Sequence, residues 1–259
     1  YTTLFRSTAI MRYTLRLLTT QQFQRAASLI CACEQVRKEG PKMLGEEPIT
    51  IGLWVGGSVT PNTEKRGEIA HGKLLRGDKN NPFIILSCPW CGAQMGPVKS
   101  GARTKTPGYR KLTNPNRVRL ICDDQDCAFH EGEGLPLRII DEHIYGSPPT
   151  LLIGTVDKFA LLPWYPAARA IFGIGMDGYD PPDLIIQDEL HLISGPLGSM
   201  VGHYETVIDA LTGRSSGDKV TRAKIVASTA TISRAPEQIK AIYGGRKSWL
   251  FPPQGLKAG

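Results

Sequence analysis

Apolar residues along the chain fall into short runs separated by stretches with helical spacing. Residues 7–13 read as a short buried strand, after which Thr19 and Thr20 can cap a helix over about 21–38. On that helix Phe23, Ala26, Ala27, Ile30 and Cys33 share one face. Residues 50–55 predict a second strand. It ends at Gly56-Gly57, where two missing Cβ atoms permit a tight turn or the close approach of a ligand.

The pattern then breaks. From about 61 to 142 the chain is rich in Gly, Pro and charge, shows little helical periodicity and holds four of the six cysteines, so it reads as an insertion. Alternation returns with a strand at 151–154, a short helix at 157–162, a strand at 184–187 and a helix at 200–211 closed by Gly213. A strand at 224–227 and a helix at 236–243, with Pro in its first turn and Gly244 behind it, complete the series. Short, nearly all-apolar strands alternating with helices predict an α/β fold, a parallel sheet covered by helices on both faces. The implied organisation is a domain in two parts, 1–60 and 146–259, interrupted by the insertion at 61–145.

With 41% hydrophobic residues in 259, the chain can bury a substantial core, which excludes a disordered or fibrous protein. A net charge of +7 favours polyanionic partners. There is neither a membrane-length apolar run nor a secretory leader, so the expectation is a soluble, cytoplasmic protein. Tyr1 stands where an initiator Met would, and the sequence reads as a piece of something longer.

The strand at 184–187 runs directly into Asp188-Glu189-Leu190-His191, placing two acids at the carboxyl end of a buried strand, where open α/β sheets bind ligands. Hydrolysis of a nucleoside triphosphate needs one acid to hold Mg2+ and another to orient the attacking water. Asp188 suits the first role and Glu189 the second, while His191 would lie near the γ-phosphate. Ser228-Thr229-Ala230-Thr231 follows the strand at 224–227, so Ser228, Thr229 and Thr231 offer hydroxyls that can hydrogen-bond the acidic box and report its state.

Taken together these segments resemble superfamily 2 helicases of the DExH type, whose first motor domain is RecA-like. The resemblance lies in five elements in order: Tyr13 to Leu18 with Gln21 and Gln22, Gly56-Gly57, Gly154 to Lys158, Asp188 to His191, and Ser228 to Thr231. It implies ATP and Mg2+ as cofactors, nucleic acid, taken as DNA, as partner, and Arg16, Gly57, Thr155 and Lys158 as contacts to the sugar-phosphate backbone. The insertion and the run from Gln187 to Gly198 are further similar to the large helicase subunits of DISARM anti-phage defence systems, which implies other defence-system subunits as partners. No Gly-rich phosphate loop with its Lys and Ser or Thr occurs in these residues. The resemblance places that loop upstream and the second motor domain, with its arginine finger, downstream; this chain alone is then not expected to hydrolyse ATP efficiently.

Cys88-Pro89-Trp90-Cys91-Gly92 is a zinc-knuckle pattern, and Cys122 and Cys127 supply the second pair of a four-cysteine Zn2+ site in a zinc-ribbon-like insertion. His130 is left outside the site, and Cys31 and Cys33 read as small buried residues. Between the knuckles Lys99, Arg103, Lys105, Arg110, Lys111, Arg117 and Arg119 surround Tyr109, with no acid from 97 to 120. That stretch is either a track along a nucleic-acid backbone with Tyr109 stacking on a base, or a solvated loop. Two competing readings of the whole are a non-catalytic, zinc-dependent nucleic-acid-binding module and a metal-dependent nuclease using Asp188, Glu189 and Asp141 or Glu142.

Overall fold

The computed structural model describes residues 8–113, 116–217, 219–230 and 235–251. In chain order the first elements are strand β1 (Ala9–Tyr13), helix α1 (Arg16–Glu39), the single-turn helix α2 (Pro41–Leu44), strand β2 (Ile51–Trp54) and helix α3 (Glu64–Leu75). The insertion continues with two hairpins, β3 (Val98–Ser100) with β4 (Arg103–Lys105) and β5 (Tyr109–Thr113) with β6 (Asn116–Leu120). Next come β7 (Leu137–Arg138), α4 (Asp141–Gly146), β8 (Leu151–Thr155), the short α5 (Val156–Phe159) and a 3-10 helix at Pro166–Phe172. Strand β9 (Leu184–Gln187), helix α6 (Gly195–Leu211), hairpin β10 (Arg214–Ser216) and β11 (Lys219–Thr221), strand β12 (Lys224–Ala227) and helix α7 (Ala235–Tyr243) follow.

Six strands form one sheet in the order β12-β9-β1-β8-β2-β7, every pair parallel, as the alternating pattern predicts. Successive side chains of a strand point to opposite faces, so each strand feeds two cores. Ile10, Trp54, Leu152 and Ile185 enter one core with Phe159, Ile171, Phe172 and Ile208. Tyr13, Leu53, Val55 and Ile153 enter the other with Phe23, Ala27, Ile30 and Cys31 of α1. That second cluster continues without a break into Phe83, Met95, Tyr109, Cys88, Cys127 and Phe129. The cysteine-rich insertion therefore shares a core with α1, and together they cover one face of the sheet.

The insertion is more ordered than its sequence predicts. Thr63 caps α3 by accepting a hydrogen bond from the N–H of Arg66 at 3.2 Å, and the buried side of α3 is made of Gly67, His71 and Leu74. Gly67 lies so close to Ile140 that a Cβ there would come within 2.9 Å of its methyl carbon. Tyr109 is buried; its hydroxyl donates to the carbonyl of Ile85 and accepts from the amide of Asn81, so it does not present a ring for stacking. Helix α1 also starts earlier than the Thr19-Thr20 cap predicts: Leu15 occupies the N-cap, and both threonine hydroxyls donate back to carbonyls one turn before them. No helix among the described residues is long and apolar enough to cross a membrane.

Candidate active site and metal centre

Strand register sets the geometry. Arg12 lies opposite Gln187, Gln187 opposite Ala227, Tyr13 opposite Thr155, and Trp54 opposite Gly154, so all five of the resembling segments leave the sheet at one edge. Backbone bonds extend the ladder past the strands: Asp188 N–H donates to Arg12 O (3.0 Å), Ser228 N–H to Gln187 O (2.9 Å) and Leu190 N–H to Ser228 O (2.9 Å). The Ser228 hydroxyl donates to Oδ1 of Asp188, the same oxygen that accepts the Glu189 N–H (2.9 Å). Both of these bonds from described residues fall on Oδ1.

Glu189 has φ +52, one of two non-glycine residues in the left-handed region among the described residues. A side chain adopts that conformation at some cost in strain, and here it turns the chain sharply out of β9 into a short 3-10 turn at Leu190–Leu192. Gln238 of α7 holds the turn by donating to the carbonyls of Leu190 (2.7 Å) and Ile193 (2.8 Å), a contact that nothing in the sequence announces. Nδ1 of His191 lies 3.3 Å from Oε2 of Glu189 and accepts the N–H of Ala230 at 3.4 Å. One ring nitrogen cannot donate to the acid and accept from the amide at once, so His191 serves one of these partners at a time. Beneath the box, burial first and the Asp188 carboxylate second push the Tyr13 phenol up to about 12. Thr229 is held by a partner as well, and Thr231 lies outside the described residues.

Of the expected backbone contacts, Arg16 and Gly57 are exposed at this edge. Arg16 reaches Ser58 Oγ (3.2 Å) and Asp157 (3.5 Å), and a Cβ on Gly56 would meet its guanidinium at 3.4 Å. Thr155 and Lys158 sit differently from that expectation. Thr155 is fully buried, and Lys158 pairs with Asp141 at 2.7 Å with both side chains under 5% exposed, its ammonium also 5.7 Å from the Trp54 ring. Burial pushes the Asp141 carboxyl up, and Lys158 opposes that shift. This pair also engages Asp141, one of the two acids, with Glu142, that the nuclease reading offers as its third. Among the described residues the one cluster of metal-ligating side chains is the four cysteines.

The sulfurs of Cys88, Cys91, Cys122 and Cys127 all lie within 4.8 Å of one another, with Cys88 to Cys127 at 3.9 Å and Cys91 to Cys122 at 3.5 Å. Tetrahedral Zn2+ with Zn–S bonds of about 2.3 Å sets its sulfurs about 3.8 Å apart, so the cluster fits the ion. The knuckle is shaped by Gly92 at φ +79 and by the Cys88 N–H bonded to Ala93 O at 2.8 Å. Nδ1 of His130 lies 3.0 Å from the Cys122 carbonyl. Cys31 is fully buried near the cluster, where burial first and Cys88 and Cys127 next push its thiol up to about 12.

Two predictions follow from these placements. The purified chain should carry a single Zn2+, and Cys88→Ser or prolonged chelation should lower its thermal stability as well as its metal content, because the cysteines share the α1 core; a zinc-free chain with an unchanged melting curve would contradict this. Lys158→Met should cost about 3–5 kcal/mol in denaturant unfolding by leaving Asp141 buried and unpaired, whereas Arg16→Ala at its exposed site should change stability by less than about 0.5 kcal/mol. An unaltered midpoint for Lys158→Met would remove the structural role.

Comparison with known proteins supplies one relation. No protein-family model matches the chain. It is 35% identical over 285 aligned positions to the DISARM protein DrmA of Bacillus paralicheniformis, an alignment taking in 96% of this chain and 25% of that protein. The chain thus spans about a quarter of the length of the curated relative it matches, and its similarity to that relative runs through both parts of the sheet and the cysteine-rich insertion.

Proposed function

We propose that this chain is part of the first motor domain of an ATP-driven DNA helicase or translocase acting in anti-phage defence. The observation that carries the reading is the junction at the ends of β9 and β12, where the Ser228 hydroxyl binds Asp188 while His191 stands between Glu189 and the backbone of Ala230. An acid pair wired to a neighbouring strand end suits a site whose occupancy must be felt elsewhere. Similarity to DrmA over nearly the whole chain supports the defence role and other defence-system subunits as partners.

In this mechanism Asp188 would hold hydrated Mg2+, and Glu189 would orient the attacking water and take its proton. Mg-ATP, when bound, would supply the phosphoryl group that is transferred to that water. When Glu189 engages water, the His191 ring exchanges the acid for the Ala230 amide, and segment 228–230 responds. The reading requires a phosphate loop and a second motor domain's arginine in addition to these residues. On the same sheet edge Arg16, Gly57 and Ser58 offer a guanidinium, an open backbone and a hydroxyl, groups that hold phosphates without reading bases.

The test is DNA-stimulated ATP hydrolysis by the full-length protein, wild type against Glu189→Gln. The variant should lose about 2–4 orders of magnitude in rate while still binding ATP and DNA, the range usual for removal of a general base. A wild type that DNA does not stimulate, or stimulation that survives the substitution, would sink the motor reading and favour a non-catalytic zinc-dependent DNA-binding module.

A further inference from the structure

The basic stretch of the insertion divides into two populations. On β5 and β6 three cations are neutralised, Arg110 by Asp123 (2.9 Å), Lys111 by Glu68 (3.0 Å) and Arg119 by Glu133 (2.5 Å), and Arg117 is half-buried. On β3 and β4, Lys99, Arg103 and Lys105 are exposed and form no ion pair with a described residue. They do not stand alone. Helix α3 lies against β4, with His71 bonded to Thr106 at 2.9 Å, and a Cβ on Gly77 would sit 3.7 Å from the Thr104 hydroxyl.

Helix α3 turns its own unpaired cations outward. Arg66, Lys73 and Arg76 are exposed, and Arg66 and Lys73 line one open groove of about 210 Å3 with Ile69 and Ala70 between them. The helix's acids are engaged: Glu64 with His143, and Glu68 with Lys111. Asp78, at the end of the groove, accepts the Asn80 N–H. At its other end α3 begins beside the sheet-edge site, because Asn62, just before the Thr63 cap, has its amide where a Cβ on Gly57 would come within 2.8 Å. A line of cations therefore runs from Gly57 and Arg16, itself paired with Asp157, along α3 to the β3–β4 hairpin, with the Asp78 carboxylate in the lining of the groove.

We propose that α3 and the β3–β4 hairpin form a track for the phosphate backbone of duplex DNA, an inference that rests on the reading of the sheet-edge site as a DNA motor. From Arg66 to Arg76, the C-cap of α3, the chain rises about 15 Å, close to half a turn of B-DNA. The track carries cations without an exposed aromatic side chain, since Tyr109 is buried. Single-strand sites combine charge with stacking platforms; charge alone suits a stacked duplex whose bases are already paired. The duplex engaged here is the part of the substrate that lies beyond the strand held at the sheet edge.

Fluorescence anisotropy with a short DNA duplex and a single strand of the same length, across a salt series, tests the track. Reversing Lys73, Arg76, Arg103 and Lys105 to Glu together should weaken duplex binding at least tenfold and reduce the slope of log affinity against log salt by about three to four, roughly 0.9 per lost phosphate contact. A control reversing Arg25, Lys42, Lys240 and Lys247, exposed cations outside the track, makes the same change in net charge and should leave the slope within one. Circular dichroism and zinc content check that the variants fold, and the corresponding Gln substitutions carry the same test if the reversed chain does not. Equal losses in both reversals, a loss confined to the single strand, or duplex binding within twofold of wild type would overturn the track. If Arg16→Ala weakens binding while the track variant does not, the sheet-edge reading stands without it. A wild-type chain that binds neither DNA overturns both.

Discussion

The in-register parallel pairing of β12, β9, β1, β8 and β2 is the constraint on which the rest of this molecule depends. Because Arg12, Gln187 and Ala227 lie side by side, the residues that follow emerge at one height, and Asp188 and Ser228 meet without a long side chain to bridge them. A slip of one residue would turn every side chain of a strand to the opposite face and separate the two segments. Burial on both faces enforces the register of β1, β2 and β8, with Ile10, Trp54 and Leu152 in one core and Tyr13, Leu53 and Ile153 in the other, while the largely exposed β12 is held by its ladder to β9.

The second face is closed in an unusual way. Helix α1 covers only part of it, and the cysteine-rich insertion completes the layer through Phe83, Met95, Tyr109 and Phe129. The insertion brings apolar side chains of its own to this layer, from Leu74 and Phe83 to Ile140, and its four thiols lie at Zn–thiolate spacing beside them. Lys158 and Asp141 tie α5, at the sheet edge, to α4, at the end of the insertion, through a buried ion pair.

Much of this was legible in the sequence, and its limits have physical causes. The strands at 184–187 and 224–227 match their predicted bounds because continuous apolar runs between turn residues have few other uses. The four cysteines converge as their spacing implies. Helix α3 was invisible because Gly67, His71 and Leu74, the side chains it buries, carry hardly any apolar periodicity. Tyr109 sits among seven cations in sequence, yet the hairpin it opens turns it inward onto Ile85. The resemblance alone implies Lys158 as a phosphate contact, and the partner that buries it, Asp141, lies in what reads as a separate module. Gln238, which pins the turn after the acidic box, left no trace, since a lone glutamine on a helix face carries no pattern.

The proposed motor stands on one claim above the others, that the acidic box and the strand end at Ser228 act as a single unit. A double-mutant cycle on DNA-stimulated ATP hydrolysis by the full-length protein, using His191→Ala and Ser228→Ala, measures this most directly. If the two side chains serve one junction, the losses overlap and the double variant is hardly worse than the more damaging single one, a coupling of about 0.5–3 kcal/mol. Losses that simply add would mean that the two segments meet in space but work independently, contrary to the account given for their contact.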